Sequence, residues 1–403
     1  MTEHVIVVHR WRDKHALYEE YIDHRAIDVS YIVTPLAAPS VAESAAAVEV
    51  VSRTDDLAEL VSATGRLCQR FGAPSRIVAL NEGDLDAVAE LRVLLGCPGE
   101  TPQSQAVFRD KHTMVAAVAA AGVATPRFAA VSSESEVLRF LAQEGGPIIV
   151  KPRFGTASRG VLRIDAAEDV AQLADLPDEP RLAQSFCPAP IFHIDGVWNG
   201  SRLVSWRASR YLNTCVDFTV GAPLGSVEVD DAKLLGHLGE FSTAAIAAIT
   251  PQPAVVHMEA FVAAHADRGP DITFLEIGGR VGGAEIPFLW REVHGVDLAA
   301  AATAIQLGRP LPEQPAAASD EVGGWLLVPT PVPAPCRIDR IEHEPAESGP
   351  YVTIVPPVGY RIPKVGGYEH VGARMRFRAS TSAEVEKAVR YAAERFHLYC
   401  SPA

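Results

Sequence analysis

Two glutamates and an arginine stand where plain strands would not place them. In Pro270 to Asp297, PDITFLEIGGRVGGAEIPFLWREVHGVD, the residues Ile272, Phe274 and Ile277 form a short apolar run that reads as a strand, and Glu276 falls inside it. Glu259 sits the same way in Val255-Val256-His257-Met258-Glu259-Ala260-Phe261. A carboxylate on an apolar strand is costly unless it is paired or binds a cation. Two of them, followed by Arg280 and a Gly-rich turn, suggest a shared cation and an anion. Mg²⁺ with nucleotide phosphates fits, because Mg²⁺ is usually held by one or two carboxylates plus phosphate oxygens. Without metal the two carboxylates should repel each other. Two edge-strand glutamates facing water would give the same pattern.

A second stretch can meet the anion. In PIIVKPRFGTASRGVLRI (147–164), the strand Ile148-Ile149-Val150-Lys151 runs into a loop holding Gly155, Thr156, Ser158 and Gly160, and a second strand, Val161 to Ile164, leaves it. This is a strand–Gly loop–strand hairpin, not the strand–loop–helix of a P-loop, and no G-x-x-x-x-G-K-[ST] occurs in the chain. The chemistry is related all the same: glycine lets backbone approach closely, and free N–H groups with small hydroxyls cradle phosphate oxygens. The chain has six lysines against thirty arginines, and Lys151 is one of them, at a strand end. An ordinary β-hairpin with a surface lysine is the competing reading.

The elements that must position these groups follow from length and pattern. A chain of 403 residues implies about two or three domains. Residues 1–105 alternate strands (Val5–Val8, Tyr31–Val33, Val48–Val51, Ile77–Leu80) with helices, one of them from Asp84 to Leu95 with Asp84 as its cap, and this rhythm predicts a small parallel sheet. Ligands in such sheets sit beyond the carboxyl ends of strands, which puts His9-Arg10 and Asn81-Glu82 at a cleft. Gly96 to Gln103 reads as a linker. Residues 106–187 form a second unit, with a helix at 110–121 capped by Asp110, a helix from Ser133 to Glu144, one at 166–174 and a strand from Arg181 to Phe186. Residues 188–403 form a third. It opens on a hairpin, Ile191–Trp198 with Arg202–Tyr211, and continues with helices at 231–249, 285–294 and 297–307. A Pro/Ala-rich linker or long loop spans 310–335, β-like segments span 351–378, and a closing helix spans 382–397.

Composition excludes several classes. Hydrophobic content of 48% with 21% charged residues is globular. A net charge of −14 and a pI near 5.4 argue against a nucleic-acid surface. The six cysteines are scattered without metal spacing, which reads as a reduced cytoplasmic protein. The apolar run in MTEHVIVVHRW is too short for a signal peptide, and no run of about 18 apolar residues predicts a membrane span.

The order of these features resembles the ATP-grasp superfamily. The matching pieces are Asp110-Lys111, Lys151-Pro-x-x-Gly-x-x-Ser-x-Gly-Val, Phe192-His-x-Asp-Gly, His257-x-Glu259 and Glu276-Ile-x-x-Arg280-x-Gly-Gly, covering about 95–310. The chain is most similar to carboxylate–amine ligases of the L-amino-acid ligase type. The resemblance implies an α/β (α+β) ATP-grasp fold behind a Rossmann-like parallel-sheet domain. It implies ATP and Mg²⁺ as cofactors, small carboxylate or amino-acid and amine substrates, and an ADP-forming ligase making an amide or dipeptide bond in specialised metabolism. Carried over by residue, Lys111 and Lys151 contact the α/β-phosphates, and the loop with Gly155, Thr156, Ser158 and Gly160 closes over the β/γ-phosphates within a lid at 125–185. Strand 183–187, including Gln184, Ser185, Phe186 and Cys187, meets the adenine. Glu259 and Glu276 hold Mg²⁺, and Arg280 contacts the transferred phosphoryl group and the carboxylate being activated.

Two departures stand out. The adenine strand lacks the usual Glu, and Gly278 replaces the usual metal-binding Asn, so one metal ligand is missing or is water. His257 is a candidate base for the amine, His193 and Asp195 are expected near the nucleotide, and Trp290 with Arg291 could shape a substrate pocket. Each has a structural alternative as a core or surface residue. A homodimer through the first domain is an expectation by analogy. A biotin carboxylase-like or purine-pathway enzyme on the same fold, or a nucleotide-binding protein without catalysis, are the other readings.

Overall fold

A computed structural model describes residues 3–12, 15–156, 158–265, 267–312, 320–344, 349–364 and 371–403. Strands β1 (His4–His9), β2 (Asp28–Val33), β3 (Ala47–Val50) and β4 (Arg76–Ala79) form a sheet in the order β3-β2-β1-β4. Every neighbouring pair is parallel, as the βαβ rhythm predicts. β1 is buried along its length because alternate residues enter different cores, Val5 and Val7 one, Ile6 and Val8 another. The helix Leu57–Phe71 begins where the Asp56 carboxylate accepts the amides of Ala58 and Glu59. The helix Leu85–Leu95 follows Asp84 as expected, but Asp84 does not cap it. Its buried carboxylate instead accepts Arg10 Nε at 2.9 Å, a partner 74 residues away.

The second sheet contains β5 (Phe128–Val131), β6 (Ile148–Pro152), β7 (Leu162–Ile164) and β8 (Arg181–Ser185), in the order β5-β8-β6-β7. All its pairings are antiparallel, and β6 with β7 is the expected Gly-loop hairpin. The helix Glu134–Glu144, capped by Ser133, and the 3-10 helix Ala167–Asp175 supply Val137, Phe140 and Val170 to a core with Ile148, Val150 and Ile164. The helix Lys111–Ala120 precedes this sheet, capped by Asp110 as expected.

The remaining strands are β9 (Ile191–Trp198), β10 (Leu203–Tyr211), β11 (Leu224–Glu228), β12 (Ala254–Ala263), β13 (Asp271–Gly278), β14 (Val322–Val328), β15 (Cys336–His343), β16 (Val352–Ile354), β17 (Arg361–Ile362), β18 (Ala373–Ala379) and β19 (Phe396–Pro402). Eight build an antiparallel sheet in the order β13-β12-β9-β10-β11-β14-β18-β16. β17, β15 and β19 form a smaller one.

Two expectations are corrected here. The 310–335 stretch is not a linker throughout: Val322–Val328, VGGWLLV, is a fully buried strand between β11 and β18. Its uncharged run of seven satisfies a strand buried on both faces, and the Pro/Ala composition of its flanks obscured it. Residues 313–319 of that stretch lie outside the described residues. The final helix ends at Arg395, and Phe396–Pro402 continues as a strand with Phe396 and Leu398 inward and His397 and Tyr399 outward. Among the described residues no helix is long and apolar enough to cross a membrane.

Candidate active site

The register between β12 and β13 sets Glu259 directly opposite Glu276. Opposed residues of an antiparallel pair share a face, so the two carboxylates point the same way. A bulge lies beside them, where the pairing passes from Glu259–Glu276 to Ala260–Phe274 and leaves Leu275 as the extra residue. Pairing continues on that face into β9: Glu259 is opposite His193, and His257 is opposite Asp195. One sheet face thus carries Glu276, Glu259, His257, His193 and Asp195.

Their surroundings differ. Glu259 is held: the Tyr211 hydroxyl donates to Oε1 at 3.0 Å and His257 Nε2 stands 3.6 Å from the same oxygen. Burial pushes its carboxyl up, but His257, His193 and Tyr211 together keep it below the usual carboxylate value. Glu276 is open, its side chain 39% exposed, with the ammoniums of Lys151 and Lys111 3.8 and 4.0 Å from Oε2. These lysines offset the repulsion expected between the glutamates. Lys151 is itself buried, which pushes its pKa down, with the Glu276 carboxylate acting in the opposite direction. Lys111 also donates to the Gly155 carbonyl at 2.9 Å, tying the helix Lys111–Ala120 to the Gly loop.

These groups border a cleft of about 390 Å³ between the hairpin sheet and the eight-stranded sheet. Of the residues expected at a nucleotide, Lys111, Lys151, Gly155, Thr156, Ser158, Gln184, Ser185, Phe186 and Cys187 line it, as do Glu259 and Glu276. The amides of Ser185 and Phe186 are already given to the carbonyls of Arg127 and Pro147. Gly160 does not line the cleft. It turns the chain with φ +68°, where an added Cβ would stand 3.0 Å from Pro152 Cγ.

His193 is also displaced from its expected role. It is buried, is not among the residues lining the cleft, and bonds Asp195 Oδ2 at 2.6 Å through Nδ1 and Ser226 Oγ at 2.7 Å through Nε2. His257 Nδ1 bonds the other Asp195 oxygen at 2.8 Å. The three could enclose a metal by size alone, but each Asp195 oxygen already serves one ring, so they form a hydrogen-bonded triad. Burial lowers the His257 pKa, yet Asp195 and Glu259 outweigh it and raise it to about 9. Nδ1 is on Asp195 and Nε2 faces Glu259, so the ring is held between two carboxylates.

The Gly-rich turn closes over this triad. A Cβ on Gly282 would stand 2.3 Å from Asp195 Oδ1 and 3.1 Å from His257 Nδ1, so only glycine permits the approach. At Gly278, where an Asn was expected by resemblance, an added Cβ would meet Arg280 Cγ at 3.3 Å, and the space is taken by the Arg280 stem. Arg280 Nε donates to Glu82 Oε2 at 2.6 Å, while Arg109 Nη1 holds Glu82 Oε1 at 2.5 Å. The end of β4 therefore does reach the site, through Glu82.

Behind the glutamates lies a smaller chamber of about 90 Å³, bordered by Arg280, His257, Tyr211 and Trp325 among others. Trp290 and Arg291 are not there. Trp290 is core, and Arg291 donates to the His15 carbonyl at 3.1 Å and stands 3.4 Å from Asp297. Trp325 went unnoticed because its strand was read as a linker. Its signal was the apolar run of β14.

Two carboxylates on one face, one of them open, beside two lysines and a Gly loop are a fitting donor set for Mg²⁺ and a polyphosphate. No protein-family model and no curated protein matches the chain. Solved structures do. An L-amino acid ligase from Bacillus licheniformis superposes with a TM-score of 0.74 at 16% identity, over 98% of this chain and 98% of that one. A carboxyaminoimidazole ribonucleotide synthase from Aspergillus clavatus, complexed with ATP, gives 0.69 at 14% identity over 98% of each chain. A biotin carboxylase from Campylobacter jejuni gives 0.67 at 13% identity, over 99% of this chain and 92% of the other. Likeness over whole chains at such identities shows the fold, and it is the ATP-grasp fold.

Proposed function

We propose that the chain is an ATP- and Mg²⁺-dependent ligase that activates a small carboxylic acid or amino acid as an acyl phosphate and joins it to an amine, with release of ADP. The observation that carries this reading is Glu259 facing Glu276 across one ladder, at the end of a cleft whose other wall holds Lys111, Lys151 and the Gly loop. The three solved structures above, two carboxylating enzymes and an amino acid ligase by name, support the same class of chemistry.

A carboxylate is a poor acyl donor until one oxygen carries a phosphoryl group. In that step an oxygen of the acid bonds to the γ-phosphorus as the bond to the ADP oxygen breaks. The amine nitrogen then attacks the acyl carbon, the carbon–oxygen bond to phosphate breaks, and the nitrogen gives up a proton. When bound, Mg²⁺ would supply neutralising charge at the phosphate oxygens, held by Glu259 and Glu276. Lys111 and Lys151 would hold the polyphosphate, and Arg280 would face charge that develops at the transferring group. Tyr211 and His257 fix the Glu259 carboxylate. Segment 125–185 acts as a lid that keeps water from the acyl phosphate.

ADP release screened over amino acids and other small acids with amine partners, and with bicarbonate as control, tests the class. Amine-dependent ADP release with an amide product is expected, while turnover with bicarbonate alone would move the chain to the carboxylases. Hydrogen exchange with and without Mg²⁺ and an ATP analogue should show protection at 153–160. Identical exchange in both states would remove the lid.

A further inference from the structure

A cavity of about 40 Å³ lies in the seam between the parallel-sheet domain and the rest of the chain. The end of β4, Arg92 and Glu100 border it from one side, and Val255 of β12, Arg280 and the helix Leu298–Gln306 from the other. Arg92 is 2% exposed. Burial pulls its pKa down to about 10, which leaves the guanidinium charged at neutral pH. A buried charge is normally paired with an opposite one. Arg92 has neutral partners instead: Nε and Nη2 donate to the Ile77 carbonyl at 3.1 and 2.6 Å, and Nη2 donates to Gln306 Oε1 at 2.8 Å. Nη1 bonds no group among the described residues. The guanidinium is held in place, because Gly99 closes over it and an added Cβ there would stand 2.9 Å from Arg92 Cδ. Glu100 forms no ion pair with Arg92 and accepts the Ser104 hydroxyl. A second unmet group faces the same space. Gln105 is 5% exposed, and its side-chain amide bonds nothing among the described residues.

We propose that this seam cavity binds a small monovalent anion, a halide or a planar oxyanion of nitrate or formate size, on Arg92 Nη1 and the Gln105 amide. A guanidinium suits such a site, being planar, always charged and weakly hydrated. The anion would supply the opposite charge that the fold withholds from Arg92, and would tie it to the helix Pro102–Arg109. A water needs on the order of 10–15 Å³ of such space, so 40 Å³ takes one halide or an oxyanion of about three or four atoms. The site is separate from the reaction: of the residues assigned to the nucleotide, metal and phosphoryl group, Arg280 alone borders it. The proposal does not rest on the ligase reading.

Melting curves in millimolar sodium chloride, bromide, nitrate or formate would be compared with sodium gluconate at equal ionic strength, gluconate being too large for the cavity. The parent should gain about 3 °C once the small anion stands about a hundredfold above its Kd, and the gain should saturate. Chloride against formate shows whether a sphere or a planar oxyanion fits better. Arg92→Met should abolish the difference between chloride and gluconate, and Gln105→Leu should reduce it. Crystals of the parent grown in bromide should show its anomalous signal in the cavity beside Arg92, a readout that needs no variant to fold. Equal melting of the parent in all the small anions and in gluconate, water alone in the cavity of bromide-grown crystals, or a full chloride effect in folded Arg92→Met overturns the proposal. None of these outcomes touches the ligase reading, which stands or falls on ADP release.

Discussion

Glu285 and Glu276 lie within ten residues of each other, and the fold treats their charges in opposite ways. Glu285 is fully buried, with Arg374 Nη1 3.2 Å from one oxygen and Arg376 Nε 3.2 Å from the other. Both arginines come from β18, and Arg376 also pairs with Glu292. This cluster is closed, each charge answered inside the protein. Glu276 keeps 39% of its side chain exposed, and its nearest ammoniums are 3.8 and 4.0 Å away, beyond hydrogen-bond reach. Its partner across the ladder is another carboxylate. A closed cluster contributes specificity and is costly to break. An open one leaves a balance that the metal and anion of the proposed reaction would complete. The same residue type thus serves architecture or chemistry according to how closely the tertiary structure brings opposite charges to it, 3.2 Å at Glu285 against 3.8 and 4.0 Å at Glu276.

Breaking the open site should show in turnover and hardly in stability. Glu276→Gln and Arg280→Ala should each lower ADP release on the order of 10³-fold, the worth of charge-neutralising groups in phosphoryl transfer, with the melting temperature of Glu276→Gln near the parent's. An Arg280→Ala enzyme within a few-fold of the parent would make Arg280 a plain ion pair with Glu82. The closed cluster should behave conversely. Glu285→Ala takes a carboxylate away from two buried guanidiniums and should cost about 3–5 kcal/mol in urea unfolding; a loss under about 1 kcal/mol would remove the distinction between the two glutamates.

Lys151→Ala should weaken Mg-ATP binding more than tenfold by calorimetry while leaving the fold intact, since its charge is placed for a ligand and not for Glu276 alone. Unchanged affinity would contradict that. The smallest effect is expected at Glu82, which lies between the two cases. Burial pushes its carboxyl up, but Arg280 and Arg109 outweigh this and hold it below its ordinary 4.5. A depressed carboxyl stabilises the fold above the unfolded-state pKa and stops doing so as pH falls through the folded value. Glu82→Gln should therefore cost on the order of 1 kcal/mol at neutral pH, and the gap to the parent should close below about pH 4.5, read from melting curves. A gap that does not narrow at all as the pH falls would mean the loss is not electrostatic.

Much of this was legible beforehand where the signal is local. The hairpin Ile148–Ile164 announces itself by apolar runs around Gly155 and Gly160, and the strand pair with Glu259 and Glu276 by charges inside period-2 segments. Asp110 and Ser133 cap their helices as their types predict, because a cap is made with the next two or three amides. Asp84 has the same residue type and the same position before a helix, yet its carboxylate goes to Arg10, a choice made by packing. His193 and His257 were placed on the right strands, but their shared partner Asp195 could be assigned only once the register of β9 and β12 was known.

The sequence alone determined the order of strands and helices through most of the chain, the Gly-rich loop between β6 and β7 and the two carboxylates set on apolar strands, since each depends on residues a few positions apart. The tertiary structure alone decided that Glu259 stands opposite Glu276. It also decided that Arg280 leans on Glu82, 198 positions away, and that Trp325 walls the inner chamber. The reason is physical: an apolar run states that a strand will be buried, but not beside which strand or in which register. Contacts between distant residues follow from that choice of neighbour.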